Sequence, residues 1–311
     1  MTDILEKKNI ILGISGGIAA YKSVELLRLL IKQGADVRVL MTRNACRFVG
    51  PLTFEALSGK AVCTHLFQEG QNASIGHIEW AKDAAAVIIA PATANIIGKM
   101  AGGIADDAIT TFLLAVTAPI LICPSMNTDM YQSPAVQRNL SVLEKDGHFI
   151  LSPDSGALAC GVTGPGRLPD PEEILDRLIN VMCPQDLSGK EVLVTAGPTQ
   201  EPMDPVRFLS NPSSGKMGYA VARAAQQRGA LVTLISGPTS LQDPTGIKVI
   251  RIQTAAQMAS AVFEHFEEMD IIVKSAAVSD YRPEKATTEK MKKEKNEMVL
   301  NLVRNQDILA E

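Results

Sequence analysis

The residues best suited to chemistry stand directly after three apolar runs. Ser15-Gly16-Gly17 follows the first run, Pro91-Ala92-Thr93-Ala94-Asn95 follows the second, and the segment from Pro124 to Met130, which contains Asn127, follows the third. Hydroxyl, amide and backbone N–H groups at the carboxyl ends of parallel strands are where open α/β sheets bind ligands. A structural interpretation stays open for each segment: a tight turn, a helix N-cap by Thr93 or Asn95, and core packing of the methionines.

The first turn suits a phosphate, because backbone N–H groups and the dipole of a following helix favour an anion there. Its sequence, Gly13-Ile14-Ser15-Gly16-Gly17, lacks the G-x-G-x-x-G spacing of dinucleotide sites. After the second strand, Met41-Thr42-Arg43 stands where such a site places an acidic residue. The turn therefore disfavours NAD and leaves room for a mononucleotide.

Two further side chains could transfer protons. His77 lies in Ile75-Gly76-His77-Ile78, and Cys160 lies in a glycine-rich stretch from Gly156 to Gly166. A cysteine on a loop is more available for chemistry than one in a strand, such as Cys123. The alternatives are a structural histidine and a chance surface cysteine.

The second half carries polar and cationic segments that could contact phosphates. Asn211-Pro212-Ser213-Ser214-Gly215-Lys216 precedes a predicted helix but does not match the G-x-x-x-x-G-K-[ST] phosphate loop. The run Lys290-Met291-Lys292-Lys293 could bind a triphosphate. Charge alone favours a solvated surface run.

The elements that must position these residues alternate between strand and helix. A strand at Asn9–Ile14, helical spacing in Ile18–Gln33 and a strand at Asp36–Met41 predict a unit with parallel strands. Further strands are predicted at Ala86–Ala90, Pro119–Cys123, His148–Leu151, Glu191–Thr195, Leu231–Ile235, Ile247–Ile252, Asp270–Lys274 and Glu297–Val303, and helices at Ala105–Ala115, Ser133–Asp146, Met217–Arg228 and Ala255–Glu268.

The same plan occurs twice along the chain. Residues 183–189 are typical of a linker, and the pattern restarts after them. We therefore predict an α/β fold with two Rossmann-like parallel-sheet domains, at residues 1–183 and 190–311. The final segment, Asn305 to Glu311, has the pattern of a helix start, so the second domain is expected to be incomplete.

Composition excludes several classes of protein. With 311 residues, 30 basic against 34 acidic side chains and a net charge of −4, the chain is not a basic nucleic-acid binder. Its five scattered cysteines have no C-x-x-C spacing, so neither a disulfide framework nor a zinc site is predicted. No stretch is long and apolar enough to span a membrane, which predicts a soluble, cytoplasmic protein.

In combination, these segments carry a resemblance that none carries alone. The chain resembles the bacterial bifunctional phosphopantothenoylcysteine decarboxylase/phosphopantothenate–cysteine ligases of coenzyme A biosynthesis, over essentially its whole length. The motifs that carry the resemblance are Ser15-Gly16-Gly17-Ile18-Ala19-Ala20-Tyr21-Lys22, Gly76-His77-Ile78, Pro91-Ala92-Thr93-Ala94-Asn95, Pro124 to Met130, Ala159-Cys160-Gly161, Asn211 to Gly215 and Lys290 to Lys293.

For the first domain, the resemblance implies a flavodoxin-like decarboxylase that binds FMN and works as a homo-oligomer, with the flavin near a subunit interface. It implies catalytic roles for His77 in substrate binding or deprotonation, for Asn127 at the carboxylate and for Cys160 as a proton donor. The positions implied to contact FMN are Ser15, Gly16, Thr42, Thr93, Asn95 and Met130.

For the second domain, the resemblance implies a ligase that activates 4′-phosphopantothenate with CTP as an acyl-cytidylate, which cysteine then attacks. Asn211 matches the position linked to that intermediate. The positions implied to contact CTP are Lys274, Ser275, Ala276, Asp280 and Lys293, with Asp280 as an expected Mg²⁺ ligand. The chain stops before the rest of the family's nucleotide site, so weak or absent ligase activity is expected.

Three other functions remain open at this stage. An NAD(P)-dependent oxidoreductase conflicts with the missing acidic residue after the second strand. A non-enzymatic flavin-binding regulator of the same fold could lose His77 or Cys160 without harm, so their joint presence favours an enzyme. A prenyl-FMN synthase-like role would leave the ligase-like half unexplained.

Overall fold

Parallel strands at the start of the chain build the first sheet. The computed structural model describes residues 4–65, 73–157, 161, 163–291 and 298–311, without the side chains of residues 73–77. Contacts divide the chain into two units, Thr2–Cys183 and Pro184–Glu311, which are described separately. The strands of the first unit are β1 (Asn9–Ile14), β2 (Asp36–Met41), β3 (Ala86–Ala92), β4 (Ile120–Pro124), β5 (Phe149–Ile150), β6 (Asp154–Ala157) and β7 (Thr163–Arg167).

The first five strands form one parallel sheet in the order β2-β1-β3-β4-β5. This order is that of flavodoxin-like folds, and it reverses direction between β1 and β3. Strands β6 and β7 form a separate antiparallel hairpin. The predicted flavodoxin-like fold is thereby confirmed.

Helices cover both faces of this sheet. They are α1 (Lys22–Lys32), α2 (Pro51–Ser58), α3 (Ala73–Asp83), α4 (Ala94–Ala101), α5 (Ala108–Ala115), α6 (Thr128–Gln132), α7 (Pro134–Lys145) and α8 (Pro171–Met182). Alternate residues of a strand point to opposite faces. Accordingly, Leu12 of β1 packs in the core with α1 and α8, whereas its neighbour Ile11 packs in the core with α4, α5 and α7.

The second unit repeats this arrangement with fewer strands. Its elements are β8 (Glu191–Ala196), β9 (Gln200–Pro202), β10 (Phe208–Ser210), α9 (Lys216–Gln227), β11 (Leu231–Ser236), β12 (Lys248–Arg251), α10 (Ala255–His265), β13 (Ile271–Lys274), β14 (Tyr281–Pro283) and β15 (Leu302–Arg304). The parallel sheet has the order β12-β11-β8-β13, with α9 in the core on one face and α10 in the core on the other. The predicted second Rossmann-like sheet is confirmed.

Three predictions of local element type were wrong. The helix predicted from Ile18 begins as a 3₁₀ turn at Ile18–Tyr21 and becomes α-helical only at Lys22. The loop predicted before Lys216 contains the antiparallel hairpin β9–β10. The final segment forms a turn, in which Asp307 Oδ1 accepts hydrogen bonds from the N–H groups of Leu309 and Ala310 at 3.0 and 3.3 Å, and not a helix.

Candidate functional site

A cavity of about 880 Å³ lies at the carboxyl edge of the first sheet, where the strand order reverses between β1 and β3. Its volume is typical of cofactor and substrate sites. The structure brings together there seven residues singled out by the sequence: Ser15, Gly16, Thr42, Thr93, Asn95, Asn127 and Met130.

The hydroxyl of Ser15 connects the ends of two neighbouring strands. Ser15 is 1% exposed, and its Oγ donates to the main-chain O of Pro91 at 2.7 Å. The same Oγ lies 3.0 Å from Thr93 Oγ1 and accepts from the N–H of Thr93 at 2.9 Å. Thr93 stands at the N-cap of α4, but its hydroxyl makes no capping hydrogen bond. Thr93 lines the cavity, and the capping alternative that the sequence left open for it is not formed.

Gly16 is required by a close approach of two backbone segments. A Cβ atom at this position would lie 2.4 Å from the Cβ of Asn44, which lines the same cavity. The 3₁₀ turn that follows begins at Ile18, and the first N–H groups of a helical segment have no partner within it. This arrangement is compatible with the phosphate site suggested by the sequence, which stays a prediction.

Asn127 is held in one orientation by the helix that follows it. Its Oδ1 accepts hydrogen bonds from the N–H groups of Asp129 at 2.8 Å and Met130 at 3.4 Å, as the N-cap of α6. The capping bond fixes the side-chain amide at the cavity wall. Asn127 therefore serves both as a helix cap and as a cavity residue.

Four cations line the cavity, and two of them are neutralised by carboxylates. Lys22 pairs with Asp170, and Lys99 pairs with two aspartates of the segment before α5. Within the described ranges, Arg43 and Arg167 form no ion pair. Two unpaired guanidinium groups suit a ligand that carries phosphate or carboxylate.

FMN requires an anion site for its phosphate and an apolar surface for its ring system. The cavity offers N–H groups at a helix start, unpaired arginines for a phosphate, and apolar side chains at Ile18, Tyr21 and Met126 for a ring system. No acidic residue stands at the end of β2 to bind the ribose of a dinucleotide. The residues present therefore fit a mononucleotide with an aromatic ring system.

Three predicted residues lie where the structure describes no side chains. His77 lies in α3, whose first five residues have no described side chains. Cys160 and Lys293 lie outside the described residues. Their roles stay predictions.

Sequence reasoning missed Asn44, Lys99, Asp107 and Arg167 as cavity residues. A signal for Lys99 was present, because it follows Asn95 by four residues and shares its helix face. Arg167 had no such signal, since its place depends on the β6–β7 hairpin, which the sequence pattern did not predict.

The CTP positions predicted in the second unit separate into two groups. Lys274 and Asp280 line a smaller cavity of about 190 Å³ together with Arg304 and Asn305. Ser275 Oγ instead donates to the main-chain O of Thr195 at 2.8 Å, as part of the junction between β13 and β8.

The backbone around the smaller cavity is held by side-chain amides. Asn211 Nδ2 donates to the main-chain O atoms of Ala277 and Val278, both at 3.2 Å. Asn305 Nδ2 donates to the main-chain O of Ser279 at 2.7 Å. Asn211 therefore contacts the segment that links the predicted nucleotide positions.

Two cations, Lys274 and Arg304, and two carboxylates, Asp280 and Asp307, line this cavity. Burial lowers the pKa of Lys274, and the nearby Asp307 opposes that shift. Asp204, which follows β9 and does not line this cavity, accepts from the N–H groups of Val206, Arg207 and Met291. Its burial would raise its pKa, but these hydrogen bonds outweigh burial and lower it. In the part of the chain that the structure describes, no group of three His, Cys, Asp or Glu residues could hold a metal ion.

Within those same ranges, no helix combines the length and apolarity needed to cross a membrane.

Burial raises the pKa of the Cys123 thiol in β4, with the carboxylate of Glu173 adding to the shift. Burial also raises the pKa values of Cys46 and Cys63, against hydrogen bonds with backbone groups.

Comparison with known proteins accounts for both units. The model of the family described as Flavoprotein matches residues 2–183, and that of the DNA/pantothenate metabolism flavoprotein C-terminal domain matches residues 187–311. Among solved structures, MrsD from Bacillus sp. HIL-Y85/54728 is similar with a TM-score of 0.51 and 28% identity, covering 58% of this chain and 99% of that one.

Curated relatives match almost the entire chain. The coenzyme A biosynthesis bifunctional protein CoaBC of Bacillus subtilis is 51% identical over 312 residues, which cover 99% of this chain and 77% of the relative. The protein of the same name from Escherichia coli K12 is 47% identical over 310 residues, covering 98% and 76%. The chain therefore belongs to the family of bifunctional coenzyme A biosynthesis proteins named CoaBC.

Proposed function

We propose that the first unit is an FMN-dependent decarboxylase that converts 4′-phospho-N-pantothenoylcysteine to 4′-phosphopantetheine. The observation that carries the proposal is the cavity at the β1/β3 reversal, which gathers the hydroxyls of Ser15 and Thr93, the turn at Gly16 and the amide of Asn127. The membership in the coenzyme A biosynthesis family supports it.

A cysteine carboxylate has no electron sink of its own, and bound FMN supplies a transient two-electron acceptor that creates one. The chain's own residues bind the flavin and orient the substrate. Backbone N–H groups at the turn hold the flavin phosphate. The amide of Asn127, fixed by its capping bonds, binds the substrate carboxylate. His77 and Cys160 are proposed to move protons on the substrate.

The decisive experiment is mass spectrometry of 4′-phospho-N-pantothenoylcysteine incubated with the protein and FMN, without any nucleotide. Loss of CO₂ is expected. The Asn127→Ala variant should retain FMN and lose turnover, whereas Ser58→Ala, on the surface end of α2, should match the wild type. An intact substrate with bound FMN would contradict the enzyme proposal and favour a flavin-binding regulator.

For the second unit, we propose CTP-dependent ligation of 4′-phosphopantothenate with cysteine. The smaller cavity with Lys274 and Asp280 supports a nucleotide site, and Asp280 is proposed to hold Mg²⁺ against the phosphates. The test is ³¹P detection of pyrophosphate release from CTP on addition of 4′-phosphopantothenate. Asn211→Ala should abolish release, with Asn180→Ala in the first unit as the matched control.

We also propose that the protein acts as a homo-oligomer in the cytoplasm. Apolar side chains at the cavity are exposed, with Ile18 at 63%, Tyr21 at 56% and Met130 at 50%. Exposed apolar patches of this kind mark contact surfaces. Light scattering after size-exclusion chromatography tests this proposal, and a monomeric mass would contradict it.

A further inference from the structure

A buried lysine joins two walls of the larger cavity. Lys22 is the first residue of α1 and is only 7% exposed, although it lines the cavity. Its Nζ donates to the main-chain O of Leu168 at 3.0 Å and to Asp170 Oδ1 at 2.7 Å. Both acceptors belong to the segment that follows β7. The ammonium group therefore connects the helix after the β1 turn with the end of the β6–β7 hairpin.

The charge balance of this contact favours a fixed position for Lys22. A buried ammonium needs a counter-charge and hydrogen-bond acceptors. Asp170 supplies the charge while its own side chain stays 64% exposed, and the carbonyl of the buried Leu168 supplies a second acceptor. The hydrogen bond and charge of Lys22 hold the pKa of Asp170 below its usual range.

The segment that Lys22 holds is packed directly against the Asn127 segment. The main-chain O of Gly166 accepts from the N–H of Met126 at 3.0 Å and from Ser125 Oγ at 3.3 Å. Gly166 has a φ of 143°, and a Cβ there would lie 2.1 Å from the main-chain O of Met126. A shift of this segment would therefore displace the residues next to Asn127.

We propose that Lys22 is a positioning residue for the decarboxylation: its bonds to Leu168 and Asp170 hold the Gly166–Leu168 wall, and through that wall the Met126–Asn127 segment, in the geometry of the cavity. This inference rests on the proposed function of the first unit. Lys22 acts through the hairpin end and not on the substrate.

The test compares Lys22→Met with the wild type, because methionine keeps an unbranched apolar stem and removes the ammonium. The matched control is Lys60→Met, which removes a lysine paired with Asp36 away from the cavity. In Lys22→Met, hydrogen exchange in a peptide spanning residues 163–170 should be faster, while in Lys60→Met it should match the wild type. Unchanged exchange in Lys22→Met would overturn the proposal.

Activity per bound flavin separates positioning from a general loss of stability. In Lys22→Met holoenzyme, kcat per bound FMN should fall by about 10- to 100-fold, the loss typical of a misplaced catalytic group. A purely structural role would lower the yield and flavin content but leave kcat per bound FMN unchanged, which contradicts the proposal.

A second variant keeps the proposal testable if Lys22→Met does not fold. Asp170→Asn retains the Leu168 carbonyl bond and removes the charge, so a smaller acceleration of exchange at residues 163–170 is expected. The double variant should lose no more activity than Lys22→Met alone, because both changes act on one contact; additive losses would argue against it. If the wild type does not decarboxylate, the proposed function fails, whereas the exchange comparison still decides the role of Lys22.

Discussion

The hydroxyl of Ser15 shows how one small side chain sets the geometry of a strand junction. It donates to the main-chain O of Pro91 near the end of β3 and accepts from the N–H of Thr93, so both strand ends are fixed to each other. Ser15 is buried and Thr93 is half-buried. Because a buried N–H without an acceptor is costly, the hydroxyl at this position stabilises the junction as well as lining the cavity.

Replacing Ser15 by Ala leaves the N–H of Thr93 without its acceptor. We expect the free energy of unfolding to fall by about 1–3 kcal/mol and the Kd for FMN to rise. Urea denaturation with and without FMN measures both effects. Ser58→Ala removes a partly exposed hydroxyl that bonds only Lys60 of its own turn, and should change stability by less than about 0.5 kcal/mol. Equal stabilities of Ser15→Ala and the wild type would refute this account.

At the scale of the element, a capping box determines where α5 begins. The Asp107 carboxylate accepts from the N–H of Thr110 at 2.9 Å, while Thr110 Oγ1 accepts from the N–H of Asp107 at 3.2 Å. The predicted helix began at Ala105, whereas the cap starts it at Ala108. Burial would raise the pKa of Asp107, but hydrogen bonds from Thr110 and Lys99 outweigh it and lower the pKa.

We expect Asp107→Ala to destabilise the protein by about 1 kcal/mol at pH 7, which is typical of a lost N-cap. The folded-state pKa of Asp107 is lowered, so its contribution is complete above the ordinary pKa of about 3.9 and is lost as the pH falls through the folded-state value. The difference between variant and wild type should therefore shrink below pH 4 in chemical denaturation series. Asp83→Ala, at the exposed end of α3, should show no such dependence. A difference that is constant from pH 7 to pH 3 would contradict the assignment.

Elements made of a continuous apolar run could be predicted from the sequence. Elements that depend on long-range contacts could not. Strands β1 and β3 were predictable because their sequences are continuously apolar. The hairpin β6–β7 did not, because its Asp154–Ala157 strand is polar and glycine-containing and is defined by its antiparallel partner. The same limit applied to the site. Strand-end residues such as Ser15 were predictable, whereas Arg167 depended on that hairpin.

At the scale of the whole molecule, each unit has its own sheet with helices on both faces and its own cores. Units with separate cores can unfold separately. A ligand that binds only one folded unit stabilises that unit by mass action. The two proposed activities can therefore be assigned to their units by calorimetry.

We expect two thermal transitions. Saturating FMN should raise the midpoint temperature of one, and CTP with Mg²⁺ should raise the midpoint temperature of the other. A ligand at 100 times its Kd contributes about 2.7 kcal/mol to the unit that binds it. Riboflavin is the matched control, since it lacks the phosphate and should shift the FMN-sensitive transition less. A single transition, or equal shifts of both transitions with either ligand, would disprove independent units.

The buried thiol of Cys123 has a practical consequence for labelling experiments. Alkylating reagents attack thiolates, and burial raises the pKa values of Cys46, Cys63 and Cys123, while Cys183 is also buried. We therefore expect these four thiols to react slowly at neutral pH, because of a raised pKa or burial. If Cys160 has the proposed role, we expect it to be the fast-reacting thiol, and loss of the fast phase in Cys160→Ser would assign it; its modification rate would then report substrate binding without any engineered cysteine.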